Sequence, residues 1–174
     1  DWNEKEKRWN WELVFCELYA GGKYNNNEGE NYEYSLGLNG LGSCATQYAS
    51  EYMDVTVWRD GYEYSLHFEK GENIGGLKKT PTNKKETGSL QKWRPDLEVF
   101  TDIDIPAEFF EDVLKKQAVV NAGLVFEFRS ETDSGFETKE YLYPNGITDY
   151  VKELIGEEET LTNVSFWQTE RRGR

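Results

Sequence analysis

Six glycines lie between Gly21 and Gly42, and their placement could do chemistry. Gly21-Gly22-Lys23 opens the stretch. Gly37-Leu38-Asn39-Gly40-Leu41-Gly42-Ser43 closes it, directly before an apolar repeat of helical period. Unpaired backbone N–H groups at a helix N-terminus, with the positive end of the helix dipole behind them, form an anion site. Glycine lets that backbone approach a phosphate with no Cβ in the way. Two familiar phosphate loops are excluded. A P-loop ends in Gly-Lys-Ser/Thr, whereas Gly42 is followed by Ser43 and Cys44; a dinucleotide turn is G-x-G-x-x-G after a strand, whereas the order here is G-x-x-G-x-G between helices. By composition alone, the same glycines serve equally well as a tight start to a helix.

Other residues carry weaker signals. On residue type alone Lys23 is a solvated loop lysine, Ser89 a hydroxyl on a strand and Arg59 a hairpin arginine. His67 sits on the polar side of an alternating strand with no partner at ligand spacing, which predicts a surface residue. Cys16 and Cys44 have no metal-ligand spacing and fall on apolar helical stripes, as reduced buried thiols do. No metal-ligating set is expected. Asn163-Val164-Ser165 matches a glycosylation pattern that has no meaning in a cytoplasmic protein.

The elements that must position these residues follow from periodicity. Trp11, Val14, Phe15, Leu18 and Tyr19 predict a helix over about residues 9–19, ended by Ala20-Gly21-Gly22. Residues 23–34 are polar and turn-rich and predict a mobile loop. Leu41, Cys44, Ala45, Tyr48 and Ala49 mark a second helix. The period then becomes two: Met53, Val55 and Val57 alternate, Asp60-Gly61 turns the chain, and Tyr62, Tyr64, Leu66 and Phe68 return. A strand end and a basic loop fill residues 70–86, and Thr87–Trp93 is a strand. Pro106 opens a third helix that buries Phe109, Phe110, Val113 and Leu114. A hairpin over Thr132-Asp133-Ser134-Gly135 joins 124–129 to 136–143. A last helix, capped by Asn145, carries Ile147, Tyr150, Val151, Leu154 and Ile155. Hairpins with separately gathered helices mean α+β, a mixed and mostly antiparallel sheet under a helical layer. Residues 1–156 form one domain portion; 157–174 read as a linker and the first strand, at Val164, of a following domain.

Composition bounds the function. The chain has 174 residues, 37% of them hydrophobic and 15% aromatic, enough for a packed core. Its 33 acidic and 20 basic residues give a formal charge of −13, so the segment as a whole is a poor surface for duplex phosphates. No run approaches the ~20 apolar residues of a membrane helix, and no apolar stretch follows the charged N-terminus as a signal peptide requires. Two isolated cysteines suit a cytoplasmic protein.

Read in order, several landmarks resemble the B subunits of bacterial DNA gyrase and topoisomerase IV. Tyr19-Ala20-Gly21-Gly22-Lys23-Tyr24, a polar loop and Gly37-Leu38-Asn39-Gly40-Leu41-Gly42 are similar to that family's L-H-A-G-G-K-F, lid and G-G-L-H-G-V-G. Trp58-Arg59-Asp60-Gly61 resembles the hairpin after the lid helix. Glu86-Thr87-Gly88-Ser89 resembles K-T-G-T, Trp93-Arg94-Pro95-Asp96 resembles F-W-P-S, and 124–129 and Tyr143-Pro144-Asn145-Gly146-Ile147 take the places of R-L-R-D and the glycine-led last helix. Asn39 departs from the bacterial His, although eukaryotic type II enzymes carry Asn there.

The resemblance implies an ATP-binding segment of a type II topoisomerase in which residues 37–43 wrap the triphosphate. Lys23 would meet the terminal phosphate, with Gly21 and Gly22 beside it among the cofactor-binding residues; Ser89 would serve the adenine side, and Arg59 the rim of the pocket that coumarin inhibitors enter. It implies Mg²⁺ as cofactor. Its general-base Glu, its magnesium-binding Asn and its D-x-G-x-G motif are expected upstream of Asp1, so no catalytic or metal residue is assigned here. Implied partners are ATP, a second B subunit on ATP binding, the A subunit, and DNA through other parts of the parent protein. Two alternatives remain: another ATPase of the same superfamily (mismatch repair, chaperone or histidine kinase), against which the A-G-G-K and K-T-G-T-like stretches speak, and a non-catalytic acidic binding module.

Overall fold

A computed structural model describes residues 1–20, 41–85 and 87–161. Two compact units divide it, Asp1–Ile103 and Asp104–Arg174, each with a core of its own.

The first unit is organised by the hairpin that alternation predicts. β3 (Ser50–Arg59) and β4 (Tyr62–Glu69) pair antiparallel. Asp60 and Gly61 between them have φ of 54° and 76°, both left-handed, as a type I′ turn requires. Met53 stands opposite Phe68 and Val55 opposite Leu66, which puts the apolar positions of both strands on one face. β7 (Gly88–Pro95) pairs the far side of β3, while β5 (Glu72–Asn73) and β6 (Lys78–Pro81) pair β4. A small hairpin of β1 (Trp2–Asn3) and β2 (Arg8–Trp9) precedes them.

α1 (Asn10–Cys16) lies on the apolar face of this sheet. Phe15 joins Met53, Val55, Leu66 and Phe68 in one buried cluster, with Trp11, Cys16 and Val57 packed against it. The Phe68 ring is fully buried, 5.9 Å from Phe15 and 6.3 Å from Trp11 between centroids. The helix begins where the Glu12 carboxylate accepts the backbone N–H of Trp9 at 2.7 Å. It is shorter than the predicted 9–19 span, because Glu17 is extended and Tyr19 has a φ of 63°. Val14, Leu18 and Tyr19 are therefore exposed, and Leu13 takes the inward place.

α2 (Gly42–Tyr48) forms where the second repeat predicts a helix, rotated from the expected stripe. Cys44 and Gln47 are completely buried, whereas Ala45 and Tyr48 face outward. The segment read as a basic loop contains β6, whose Lys78, Lys79 and Pro81 have low strand propensity but suit an edge. The loop expected over 23–34 and the strand expected at Val164 lie outside the described residues.

In the second unit, α3 (Ala107–Val120) starts after Pro106 as expected, but buries the wrong end for the prediction. Ala118 and Val119 are buried with Tyr143, whereas Phe109, Phe110 and Val113 are exposed and Leu114 is half-buried. The two-stranded hairpin of β8 (Phe126–Thr132) and β9 (Gly135–Tyr141) is narrow. It meets the first half of α3 through Phe128, stacked on Phe110 at 6.1 Å. α4 (Ile147–Ile155) is preceded by Gly146, not capped by Asn145. Gly146 has a φ of 56°, and a Cβ there would come within 3.0 Å of the Val119 carbonyl oxygen. Asn145 instead donates its backbone N–H and side-chain amide to Asp149 at 2.8 and 3.1 Å. Antiparallel sheets and separately placed helices make the fold α+β, as expected.

Truncating Phe68 to Ala should destabilise the first unit by about 3–5 kcal/mol, the usual cost of emptying a buried aromatic site. Phe109→Ala, at a ring that is 67% exposed, should shift stability by roughly 0.5 kcal/mol or less. Urea denaturation of both variants checks the pair.

Candidate functional site

Of the residues that the sequence proposes for an anion site, Gly21, Gly22, Lys23, Gly37, Leu38, Asn39 and Gly40 lie outside the described residues. Leu41, Gly42 and Ser43 are at the start of α2. Leu41 is its N-cap, and its carbonyl oxygen accepts the Ala45 N–H at 2.8 Å. Among the described residues no side chain caps this end, and the N–H groups of a first helical turn have no intrahelical acceptor. Gly42 and Ser43 are exposed, and a Cβ built on Gly42 meets nothing within 4 Å. Among the described residues nothing fills the space beside Gly42 or accepts from the first turn of α2.

A cavity of about 160 Å³ opens on the inner face of the β3–β4 hairpin. Val55, Val57, Tyr64 and Leu66 line it from the strands, Trp11 and Phe15 from α1, Leu77 from the segment before β6, and Asp1, Arg59 and Asp60 from the polar side. Its volume is below the roughly 300–1,000 Å³ of drug-sized ligand sites, so it suits a ring-sized group. The Arg59 guanidinium is held between two carboxylates: Nε donates to Asp60 at 2.9 Å and Nη1 to Asp1 at 3.3 Å. Trp11 Nε1 is buried without an acceptor, an orphaned donor in a residue of the cavity wall. Burying a donor unpaired is costly, which marks a place where a ligand acceptor or a water would be welcome. Ser89 stands opposite Val57 in the β3–β7 register, hence on the same face one strand over, and it does not line the cavity. Sequence periodicity identifies Trp11 only as an apolar helix position; its unpaired nitrogen has no sequence signal.

His67 lies on the polar side of its strand, as alternation predicts, and there it meets two carboxylates. It lies on the opposite face of the sheet, across from Asp54 in register. Nδ1 is 2.6 Å from Asp54 Oδ1 and Nε2 is 3.1 Å from Glu69 Oε1. The hydrogen bond to Asp54, then that to Glu69, raise its pKa above the ordinary imidazole value. Cys16 and Cys44 are free, and burial raises both of their pKa values, which keeps them thiols. Among the described residues no group of three His, Cys, Asp or Glu is placed to hold a metal ion, and no helix is long and apolar enough to cross a membrane.

Two comparisons with known proteins point to the same family. The chain is 33% identical over 156 residues to the DNA topoisomerase 4 B subunit of Salmonella typhimurium, covering 89% of this chain and 24% of that protein. It is 35% identical over 141 residues to the DNA gyrase B subunit of Synechocystis, covering 80% of this chain and 13% of that one. This chain thus spans a quarter or less of the length of these two relatives. A crystal structure of the 43K ATPase domain of Thermus thermophilus gyrase B in complex with an aminocoumarin shares the fold, with a TM-score of 0.76 over 99% of this chain and 42% of that one, at 21% identity. No family model matches the chain.

The histidine cluster sets a pH dependence. A folded-state pKa raised above the unfolded value, about 6.5, stabilises the fold fully below pH 6.5 and is lost as pH rises through the folded pKa. Urea midpoints of the wild type should therefore fall relative to those of His67→Asn as pH is raised from 6 to 9. Parallel pH profiles of the two proteins would contradict the assignment.

Proposed function

This chain belongs to the family of DNA gyrase and topoisomerase IV B subunits, and on that premise we propose that it is an ATP-binding segment of a type II topoisomerase. The observation that carries the reading is the start of α2, where uncapped backbone donors and a Cβ-free Gly42 follow the G-L-N-G-L-G run. Residues 37–43 cradle the triphosphate through backbone N–H groups, which need no side chain and so tolerate Asn39. Lys23 meets the terminal phosphate as a point charge.

Ser89 and Arg59 serve the adenine end, supported by their place on or at the rim of the sheet face that bears the cavity. Trp11, with its unpaired N–H, is the wall against which a flat ring packs. A magnesium ion, when bound, would neutralise phosphate charge. The described residues present no three-ligand group for it, so no step here is routed through the metal. Within residues 1–174 we assign binding contacts only, and no general base.

The parent protein would hydrolyse ATP, dimerise through a second B subunit on nucleotide binding, work with an A subunit in the cytoplasm, and use the cycle to pass one duplex through another. The supporting observation is the agreement of the relatives over most of this chain.

Gly42→Val tests the cradle. The position has open space and an ordinary φ, so the fold should tolerate the side chain within roughly 0.5 kcal/mol. ATP affinity of the full protein should nonetheless fall by more than about tenfold, or 1.4 kcal/mol. Undiminished ATP binding by that variant would remove the phosphate assignment. Residues 1–174 alone should release phosphate from ATP no faster than buffer, because assistance by a general base, typically ~10²–10⁴-fold, is not among the contacts assigned here.

A further inference from the structure

The face of the first unit's sheet opposite the cavity carries a groove of about 480 Å³, inside the roughly 300–1,000 Å³ of small-ligand sites. Its floor is the middle of the β3–β4 hairpin, where Thr56 stands opposite Ser65 and Asp54 opposite His67. Lys78 on β6 is the register partner of Ser65, and on the other side β7 sets Leu90 opposite Thr56 and Lys92 opposite Asp54. Short side chains on the two central strands and long ones on the two flanking strands make the trough. At roughly 4.8 Å per strand, β6 and β7 run about 14 Å apart, so the two lysine stems are long enough to bring both ammonium groups to one anion on the floor.

The groups around this groove are unevenly paired. Lys70, Lys115, Lys116 and Lys139 each bind a carboxylate. Among the described residues Lys78 and Lys92 bind none, and the Thr56 and Ser65 hydroxyls have no hydrogen-bond partner. Lys92 has only the Tyr52 ring, 5.7 Å away. The nearby acids, by contrast, are engaged. Asp54 and Glu69 hold the two ring nitrogens of His67, and Glu63 accepts Trp58 Nε1 at 2.8 Å. Those carboxylates raise the His67 pKa, so the imidazolium offsets the charge of Asp54 in the floor. We propose that the groove is an anion site, separate from the cavity, that takes a compact phosphate oxyanion. The two ammonium groups meet it as point charges, and the two hydroxyls donate to its other oxygens. A carboxylate offers two oxygens to these four side chains, whereas a phosphate offers four. The formal charge of −13 repels a polyanion such as a duplex, so the ligand that fits is a single small anion. The inference stands apart from the ATP reading, because every residue that it uses lies on the other face of the sheet or at its edges.

The test is equilibrium dialysis of radiolabelled inorganic phosphate against the full protein, with ionic strength held constant by chloride. An excess of the β,γ-imido analogue of ATP keeps phosphate out of any nucleotide site. One phosphate should bind per chain. Lys78→Ala and Lys92→Ala should each weaken it about fivefold, the upper worth of an exposed ion pair. Thr56→Val combined with Ser65→Ala should weaken it by a similar factor, the worth of about one neutral hydrogen bond. Lys85→Ala, at an exposed lysine that does not line the groove, is the control and should leave the affinity unchanged. Lys78 and Lys92 are exposed, so melting temperatures of their variants should match the wild type and separate lost binding from lost fold. Three results would each overturn the site: no saturable binding by the wild type, wild-type affinity in a Lys78→Ala, Lys92→Ala double variant, or a loss in Lys85→Ala equal to that in Lys92→Ala.

Discussion

The packing of α1 across the apolar face of β3 and β4 is the contact on which the rest of the first unit depends. A two-stranded hairpin has marginal stability by itself, and a third strand or a covering helix makes it persist. Here β7 adds the strand, and α1 adds Trp11 and Phe15 over the buried ring of Phe68. The cavity is a by-product of the same packing. Its apolar lining, from Phe15, Val55 and Leu66, consists of core residues seen from where the core stops, and Trp11 brings a donor that the core cannot satisfy. The side chains that stabilise this unit therefore also line its cavity.

Strand alternation separates two kinds of chemistry by the thickness of one sheet. Residues 55, 57, 64 and 66 line the cavity, while Asp54 and His67 face the other way in a charged cluster with Glu69. A one-residue slip in register would exchange the two sets, so the burial of Met53, Val55, Leu66 and Phe68 also secures the polarity of the site. Arg59 follows directly from this arrangement. It is the last residue of β3, beside the left-handed Asp60, so its guanidinium reaches the cavity rim between Asp1 and Asp60. Exposed pairs of this kind add little stability, but two carboxylates on one guanidinium restrict its orientation.

The second unit is held differently. Its buried core is small, Ala118, Val119 and Tyr143, and polar ties supplement it. Tyr143 donates its hydroxyl to Glu153 at 2.6 Å, and Lys115 donates to the same carboxylate, which links α3 and α4. Lys139 on β9 donates to Glu111 on α3 at 2.7 Å. Four large apolar side chains of α3, Phe109, Phe110, Val113 and Val120, stay exposed, so the amphipathic pattern of that helix exceeds what its own hairpin covers.

Those same side chains mark the limit of sequence reasoning. The existence and kind of nearly every element, the β3–β4 turn, the α+β class and the glycine run before α2 are written in local patterns, because period, left-handed turn residues and Cβ-free backbone are properties of a few neighbouring residues. What those patterns leave open is phase and partnership. Gln47 rather than Tyr48 is buried on α2, Leu13 replaces Val14 on α1, and α3 buries Ala118 in place of Phe109, because each helix turns toward whatever surface the remote chain provides. The orphaned indole of Trp11 is set by remote packing, and the Asp54 carboxylate reaches His67 from 13 positions away, a separation that no periodicity encodes. Sequence by itself determined which segments form helices and strands and that they make an α+β fold. Only the tertiary structure decided which face each helix buries and what touches the site, because burial is a property of the assembled surface and not of the segment.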